Sequence, residues 1–273
     1  MTAYEYYYEA TSKSLDEISR KVVCNDIYVL YSGGCDSTLA LYETLLLKKT
    51  EGLDVSINTI SFKSPQLASS KYEEINRNKF FDFLKEQDLH VDKKLMINIT
   101  NEGSNGIQTG QCCCPQPAIW LYNMMAYLPV GATVITGYIH GDDFLTMGVF
   151  NDWYNSYIGL NKLFDKNMDI YMPYAYVNKD EIINRLKNLK IDQYTSYCEH
   201  LDETNGKPCG RCESCKKHKA YSSLIEKPKI IRRLVNKKIS CYGEPGKNIP
   251  IWNECKSVKI ELANKYEKSN AKY

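Results

Sequence analysis

The stretch that most constrains the fold of this chain is VLYSGGCDSTLALYETLLL, at residues 29–47. An apolar, strand-like segment ends in a serine and two glycines, and an apolar, helix-like segment follows at once. A strand that passes through a tight glycine turn straight into a helix is a building unit of α/β folds. The unpaired N–H groups and the positive dipole end at the start of such a helix favour an anion.

Strand-like and helix-like segments alternate along much of the chain. The predicted strands are residues 26–31, 55–62, 95–100, 132–138 and 170–177, and the predicted helices are residues 36–49, about 71–88 and 116–128. Asn178 followed by Glu181 predicts the capped start of another helix. Strands that are apolar on both faces form parallel sheets covered by helices on both sides. We therefore predict a Rossmann-like α/β fold whose ligand lies at the carboxyl ends of the strands.

The alternating pattern ends near residue 195, where a cysteine-rich loop and then a basic tail begin. We therefore predict a main domain at residues 1–195 and a smaller zinc-binding module with a basic extension at residues 196–273. Within the helix at about 71–88, the residues predicted to face the core are Ile75, Phe80, Phe83 and Leu84.

The composition excludes several classes of protein. The net charge is only +2, so the chain as a whole is not a general electrostatic binder of nucleic acid, and a nucleic-acid partner is not favoured. No apolar run approaches the roughly 20 residues of a membrane span. The N-terminus lacks the basic start and apolar core of a secretory signal. These features predict a cytoplasmic protein with no membrane partner.

Eleven cysteines are unusual for the reducing cytosol, where thiols, metal ligands or catalysts are expected instead of disulfides. The spacing C-x10-C-x2-C-x2-C is formed by Cys198, Cys209, Cys212 and Cys215. Four thiolates at this spacing can surround one tetrahedral ion and leave no open coordination position, which predicts a structural Zn²⁺. Gly210 is predicted to turn the chain between ligands, and backbone N–H groups there are expected to donate to the sulfurs. His200 or His218 as a substitute ligand, and metal-free thiols, stay open as alternatives.

The glycine turn carries a second set of candidate ligands. The predicted pyrophosphate contacts are Ser32, Gly33, Gly34, Asp36, Ser37 and Thr38. Glycine backbone can approach an anion closely, and the hydroxyls add donors. A carboxylate beside phosphates repels them unless a cation lies between, so Asp36 is predicted to bind Mg²⁺. The turn has neither the G-K-[ST] ending of the Walker type nor the pattern G-x-G-x-x-G. A plain glycine turn, with Asp36 as a helix-start acid, is the alternative.

The pattern S-G-G-x-D-S after a first strand resembles the PP-loop of the ATP pyrophosphatase superfamily. Together with the late CGRCESC, it resembles QueC, the 7-cyano-7-deazaguanine synthase family, over roughly residues 26–222. The segment PYAYVNKDEIINRL resembles that family's P-L-…-K-x-E-I segment, which makes Lys179 a candidate ATP-handling lysine. The resemblance implies a sheet of the HUP (adenine nucleotide alpha hydrolase) type, ATP and Mg²⁺, and adenylation of 7-carboxy-7-deazaguanine. Ammonia then converts the activated acid to an amide and finally a nitrile.

The chain departs from that family after the fourth predicted strand. The segment GYIHGDDFLTMGVFNDWYNSYIGL has no counterpart of Y-P-D-C-R, which helps to build the family's substrate pocket. Gly137 and either Asp142 or Asp143 match the start of the family's segment, which makes Gly137 a candidate nucleotide contact and the two aspartates candidates for metal, substrate or phosphate contacts.

The acyl acceptor is the part of the reaction that this departure leaves open. Divergent QueC-like proteins occur in bacterial anti-phage operons, including type IV CBASS, where the activated deazaguanine is joined to a partner protein's N-terminal amine. We place a protein N-terminal amine ahead of ammonia as the acceptor. A tRNA thiolase-like enzyme and a non-catalytic nucleotide-sensing scaffold are further alternatives. Because QueC-like proteins are often dimers, a homodimer or a hetero-complex is expected.

Three further features have two interpretations each. The triplet Cys112, Cys113 and Cys114 either carries sulfur, as in a thiolase, or simply packs. The segment from Lys216 to Lys238 contains nine Lys or Arg residues and one acid, which fits an anionic partner or a solvated face. The tyrosines at the N-terminus, Tyr4, Tyr6, Tyr7 and Tyr8, pack on the core or form a partner surface.

Overall fold

The computed structural model of the chain describes residues 1, 3–20, 26–63, 69–99, 116–139, 149–198 and 207–225. The strands are β1 (Asp26–Leu30), β2 (Ser56–Lys63), β3 (Lys93–Asn98), β4 (Thr133–Ile135) and β5 (Asp169–Tyr171). The helices in these residues are α1 (Ala3–Ser12), α2 (Leu15–Arg20), α3 (Cys35–Glu51), α4 (Ser69–Glu86), α5 (Gln116–Tyr127), α6 (Val149–Leu163), α7 (Lys179–Asn188) and α8 (Glu213–Leu224). A short 3₁₀ helix spans Asp192–Tyr194.

The five strands form one sheet in the order β3-β2-β1-β4-β5, and all neighbouring strands pair in parallel. In the centre, Ile27 of β1 lies between Ile57 of β2 and Thr133 of β4. The chain leaves β1 towards β2 on one side and later returns to β4 on the other, so the strand order switches beside β1. This arrangement confirms the predicted Rossmann-like α/β fold and locates the expected ligand crevice at the carboxyl end of β1.

Each face of the sheet carries its own hydrophobic core. On one face, Tyr28 and Leu30 of β1 pack with residues of α1, α5 and α6. On the other face, Ile27 and Val29 pack with residues of α2, α3, α4 and α7. The alternation along β1 follows from the two-residue period of a strand, since successive side chains point to opposite faces. Among the described helices, none combines the length and the apolar character that a membrane crossing requires.

The structure differs from the predicted lengths of two strands, from one predicted core residue and from the predicted set of helices. The strands predicted at 132–138 and 170–177 are shorter, because the chain leaves the sheet before Gly137 and enters a turn at Pro173. Ile75 is 43% exposed, so its predicted place in the core is wrong. Asn76 and Arg77 are buried on that face of α4 instead. Helices α1, α2, α6 and α8 were not assigned from the sequence, and in α1 and α6 aromatic and polar residues obscure the helical period.

The N-terminal helix is part of the core, which settles the interpretation of two of its tyrosines. Tyr6 and Tyr7 are both buried. The Tyr6 ring lies 4.8 Å from that of Tyr157, centroid to centroid, and its hydroxyl donates to the carbonyl of Ile170 at 3.0 Å. Tyr6 therefore joins α1 to α6 and to strand β5.

Replacing Tyr6 with alanine tests this role. The Tyr6→Ala variant should lose about 3–5 kcal/mol of unfolding free energy, because a large buried side chain is removed and a cavity remains. Chemical denaturation followed by circular dichroism measures this loss. Tyr127→Ala is the matched control, since Tyr127 is 61% exposed and such surface changes stay within about 0.5 kcal/mol. Equal stability of both variants would show that α1 is not part of the core.

Candidate functional site

The glycine turn lies at the carboxyl end of β1, directly before helix α3. Gly34 is the residue before the helix and has an extended backbone with φ of −73° and ψ of 167°. It offers no side-chain hydrogen bond to cap the helix. The first N–H groups of an α-helix have no partner within the helix itself. The start of α3 therefore presents backbone donors and a positive dipole end at the switch in strand order.

The shape of the turn is fixed by donors from two distant parts of the chain. Gly33 has a φ of +89°, which an L side chain rarely adopts. Its carbonyl accepts a hydrogen bond from the Ser196 N–H at 2.7 Å, and the preceding carbonyl, of Ser32, accepts one from Arg77 Nη1 at 2.7 Å. Because these two donors bind the carbonyls of Ser32 and Gly33, those carbonyl oxygens do not point at a ligand. The N–H groups at the start of α3 are then the part of the turn that can contact an anion.

The predicted hydroxyl ligands differ in their access to solvent. The Ser32 side chain is exposed, and its Oγ lies 3.0 Å from Ser37 Oγ and accepts a bond from the Gly34 N–H at 3.2 Å. Ser37 is only 6% exposed and Thr38 is fully buried. Of the three hydroxyls, Ser32 is therefore the best placed to contact a bound anion, and Thr38 is the least suited.

An ion pair joins the start of α3 to the start of α7. Lys179 Nζ lies 2.5 Å from Asp36 Oδ2, and both side chains are about one quarter exposed. The predicted capping box of Asn178 and Glu181 is present, and it sets Lys179 as the first residue of α7. The other carboxylate oxygen, Asp36 Oδ1, is buried and has no hydrogen-bond partner in the described part of the chain. A divalent cation is a fitting partner for such an oxygen, as Mg²⁺ binds carboxylates.

Gly137 touches the same helix start through a close backbone contact. A Cβ atom at Gly137 would lie 2.9 Å from the Asp36 carbonyl carbon and 2.9 Å from the Ser37 nitrogen. Only glycine fits this approach without a shift of the backbone. The residue predicted as a nucleotide contact thus packs against the turn itself.

A partly buried polar network behind the ion pair fixes α7 against α3. The Tyr174 hydroxyl and the Arg185 guanidinium both donate to the carboxylate of Glu43. Burial raises the pKa of Glu43, while the charge of Arg185 opposes that rise. Glu43 lies on α3, as does Asp36, and Arg185 lies on α7, as does Lys179. The network therefore keeps the two helices aligned so that Asp36 and Lys179 stay in contact.

The four predicted metal-ligating cysteines come together in the structure. The sulfur atoms of Cys198, Cys209, Cys212 and Cys215 all lie within 4.8 Å of one another. A tetrahedral site with metal–sulfur bonds of about 2.3 Å has sulfurs about 3.8 Å apart. The observed spacing therefore fits one metal ion held by four thiolates.

The turns around the cysteines stabilise thiolates, as the sequence predicted. The N–H groups of Cys209, Cys212 and Cys215 donate to the sulfurs of Cys198, Cys209 and Cys212 respectively, at 3.2–3.4 Å. Gly210 has a φ of +68°, which confirms its turn. Backbone N–H groups lower the pKa of Cys209 to about 6, and burial raises the pKa of Cys215 to about 12. A cation among the four sulfurs is the ordinary compensation for holding Cys215 as a thiolate.

His218, the alternative metal ligand in the described residues, stacks on an aromatic ring instead. The ring of His218 stacks on Tyr197 with centroids 3.7 Å apart, and burial together with Lys179 and Lys187 lowers the pKa of His218 to about 4. Within the described residues, the metal-type cluster contains the four cysteines alone. His200 lies outside the described residues.

The cysteine cluster is joined to the glycine turn by a short segment. Ser196, two residues before Cys198, bonds to Gly33, and Asn76 Nδ2 donates to Ser196 Oγ at 3.1 Å. The neighbouring Thr195 contacts Cys35 at 3.5 Å between Oγ1 and Sγ. The cluster therefore anchors the strand-like segment that supports the turn.

Some predicted residues lie outside the described part of the chain, and some observed ones escaped prediction. Asp142, Asp143, the triplet Cys112–Cys114 and the basic extension from residue 226 onwards are not described. Arg77, Asn76 and Ser196 were not singled out from the sequence. The one available indication was the position of Asn76 and Arg77, three or four residues before Phe80 on the apolar face of α4.

Comparisons with known proteins cover this site in part. Residues 147–225 match the family model described as queuosine biosynthesis protein QueC, and this segment includes Lys179 and the four cysteines. A solved structure similar to this chain is the U34-tRNA thiolase NcsA from Methanococcus maripaludis with its [4Fe-4S] cluster, at 13% identity and a TM-score of 0.41, over 90% of this chain and 83% of that chain. The search of curated proteins finds no match. The family match begins after the glycine turn, so it covers the start of α7 and the cysteine cluster but not residues 32–38.

Adding a methyl group at Gly137 tests the close approach to the turn. Gly137→Ala should cost about 1–3 kcal/mol of stability, because the backbone at Asp36 and Ser37 must move to admit the Cβ atom. It should also weaken pyrophosphate binding, measured by calorimetry, by roughly tenfold. Gly159→Ala is the control, since a Cβ there meets nothing within 4 Å and alanine favours the helix by about 0.5–1 kcal/mol. Unchanged binding in Gly137→Ala would separate this glycine from the site.

Removing one cysteine of the cluster tests the metal centre. Cys212→Ser should lose most of its bound metal. Its unfolding free energy should fall by an amount on the order of several kcal/mol, because metal binding is coupled to folding. Metal content per chain by mass spectrometry and thermal unfolding measure both effects. Cys35→Ser, a buried cysteine outside the cluster, should keep its metal. Full metal content in Cys212→Ser would overturn the four-thiolate assignment.

Proposed function

We propose that the chain cleaves ATP between the α and β phosphates and transfers AMP to a carboxylate, and the match of residues 147–225 to the QueC family model supports this. The observation that carries this proposal is the Asp36–Lys179 ion pair beside a helix start without a side-chain cap. A helix start, two glycines and a partly exposed cation–anion pair suit a polyphosphate better than any neutral ligand.

In this proposal the turn binds the two phosphates that leave. The N–H groups at the start of α3 and the Ser32 hydroxyl donate to the pyrophosphate oxygens. Lys179 exchanges its contact with Asp36 for a phosphate oxygen. Asp36 would hold the Mg²⁺ that accompanies ATP through its carboxylate, including the buried Oδ1. Bound Mg²⁺ supplies neutralisation of the phosphate charge.

The reaction proceeds in two balanced steps. A carboxylate oxygen of the substrate bonds to the α-phosphorus, and the bond from that phosphorus to the bridging oxygen breaks, which releases pyrophosphate. An amine nitrogen then attacks the carbonyl carbon of the acyl adenylate, the bond to the AMP oxygen breaks, and the nitrogen loses a proton. The donors of the turn accelerate the first step because they stabilise charge on the departing pyrophosphate.

The acid and the acceptor are further parts of the proposal. The QueC resemblance supports 7-carboxy-7-deazaguanine as the acid. The absence of a Y-P-D-C-R segment supports a changed acceptor, which we assign as the N-terminal amine of a partner protein, as in anti-phage conjugation. Ammonia, giving the nitrile, is the second candidate, and the match to queuosine biosynthesis protein QueC favours it.

The cysteine cluster serves this function as a structural zinc site. Its sulfurs are close enough to share one ion, whereas the sulfurs around a [4Fe-4S] cube bind separate iron atoms and lie farther apart. With all four ligands supplied by the protein, the ion has no open position for chemistry. Its role is to hold the segment through Ser196 against the turn.

Measurement of the nucleotide products tests the proposed cleavage. With ATP, Mg²⁺, 7-carboxy-7-deazaguanine and an amine acceptor, the protein should release AMP and pyrophosphate, detected by chromatography. Asp36→Asn should slow this release by about 100-fold or more, because one charge that stabilises the transition state is lost. Asp152→Asn, at an exposed position of α6, is the control. Release of ADP and phosphate, or no nucleotide cleavage by the wild type, would contradict the proposal.

Two variations of the same assay distinguish the acceptors. A peptide with a free N-terminal amine should gain the mass of the acyl group if a protein is the acceptor. Ammonium should instead give the amide, and activation of the amide oxygen by a second ATP should then remove that oxygen and give the nitrile. AMP release that requires a sulfur donor and tRNA would identify a thiolase.

A further inference from the structure

A buried arginine lies directly behind the glycine turn. Arg77 of α4 is 1% exposed and is among the largest fully buried side chains of the described residues. Its Cγ atom would be 3.0 Å from a Cβ atom placed on Gly33. Its aliphatic part thus packs against the turn, and its guanidinium reaches the backbone of Ser32.

The guanidinium has fewer partners than its burial requires. Nη1 donates to the Ser32 carbonyl at 2.7 Å and lies 3.6 Å from a carboxylate oxygen of Glu73. Nε and Nη2 are buried and have no hydrogen-bond partner in the described part of the chain. An arginine carries five N–H donors and stays charged in proteins. Arg77 is therefore a buried cation with an incomplete set of acceptors and a distant counter-charge.

A buried, incompletely paired charge costs free energy unless a bound partner compensates for it. The turn in contact with Arg77 is the proposed pyrophosphate site, and it contains no lysine of its own, unlike a Walker loop. A cation behind the turn makes the potential at the turn positive. In an interior of low dielectric this effect is larger than that of a surface charge.

We propose that Arg77 is a positioning residue for anion binding. It fixes the Ser32 carbonyl and supplies, from helix α4, the positive charge that the turn itself lacks. The inference rests on the proposed function, since the anion it serves is the pyrophosphate portion of ATP. Lys179 approaches the site from α7, so the phosphates are flanked by a cation on each of two helices.

Calorimetric titration with inorganic pyrophosphate and Mg²⁺ tests this role. Arg77→Met should bind pyrophosphate at least about tenfold more weakly than the wild type, because it loses the charge and keeps most of the volume. Its affinity should also fall less steeply as salt is raised. Arg77→Lys, which keeps the charge, should recover most of the affinity. Lys79→Met, at an exposed position of the same helix, should bind like the wild type.

A second measurement uses the wild-type protein and covers the case in which Arg77→Met does not fold. In the protein labelled with ¹⁵N-arginine, the Nε–H resonance that is missing from Arg77→Lys should shift when pyrophosphate is added. A wild type that binds pyrophosphate without moving this resonance would overturn the role of Arg77. So would a folded Arg77→Met variant with unchanged affinity and salt dependence. If the wild type neither binds nor releases pyrophosphate, the proposed function itself fails, and the two failures are thereby distinguished.

Discussion

The start of helix α3 is the constraint on which the rest of the structure depends. A helix that begins at the carboxyl end of a central strand places unpaired backbone donors inside the crevice of the sheet. Gly34 leaves these donors without a side-chain cap. Polar groups from distant parts of the chain lie around these donors. Arg77 and Ser196 donate to carbonyls of the turn, and Lys179 pairs with Asp36. With the carbonyls of the turn bound by other parts of the chain, the arrangement suits a ligand that accepts hydrogen bonds.

The scaffold explains why groups so distant in sequence meet at this point. The order β3-β2-β1-β4-β5 brings α4 and the segment after β5 to the same end of β1. Glu43, bonded by Tyr174 and Arg185, then fixes α7 on α3. The cysteine cluster holds the segment through Ser196 from the other side. The fold, the cysteine cluster and the glycine turn are therefore connected, and disruption of the cluster is expected to affect the turn as well as local stability.

Features determined by neighbouring residues could be predicted from the sequence, while those determined by tertiary contacts could not. The capping box at Asn178, the strand–turn–helix at Gly33 and the cysteine spacing are local patterns with one physical solution each. The contact of Arg77 with Ser32 spans 45 residues, and nothing in the α4 sequence shows which side of the sheet that helix covers. The misplacement of Ile75 has the same cause, because its neighbours Asn76 and Arg77 are polar residues that the fold nevertheless buries.

The distribution of charge around the turn gives the site two different kinds of cation. Lys179 is partly exposed and already paired with Asp36, so it can exchange one oxygen partner for another at little electrostatic cost. Arg77 is buried and its Nη1 lies 3.6 Å from a carboxylate oxygen of Glu73, so its charge stays behind the turn whether or not a ligand is bound. In the proposed function, the fixed charge of Arg77 favours the phosphates and Lys179 exchanges Asp36 for a phosphate oxygen. Because both cations come from outside the turn, their contribution to anion binding requires that α4 and α7 are packed in place. The strength of the proposed phosphate site is then a property of the tertiary fold, whereas in a loop with its own lysine it resides in a local sequence.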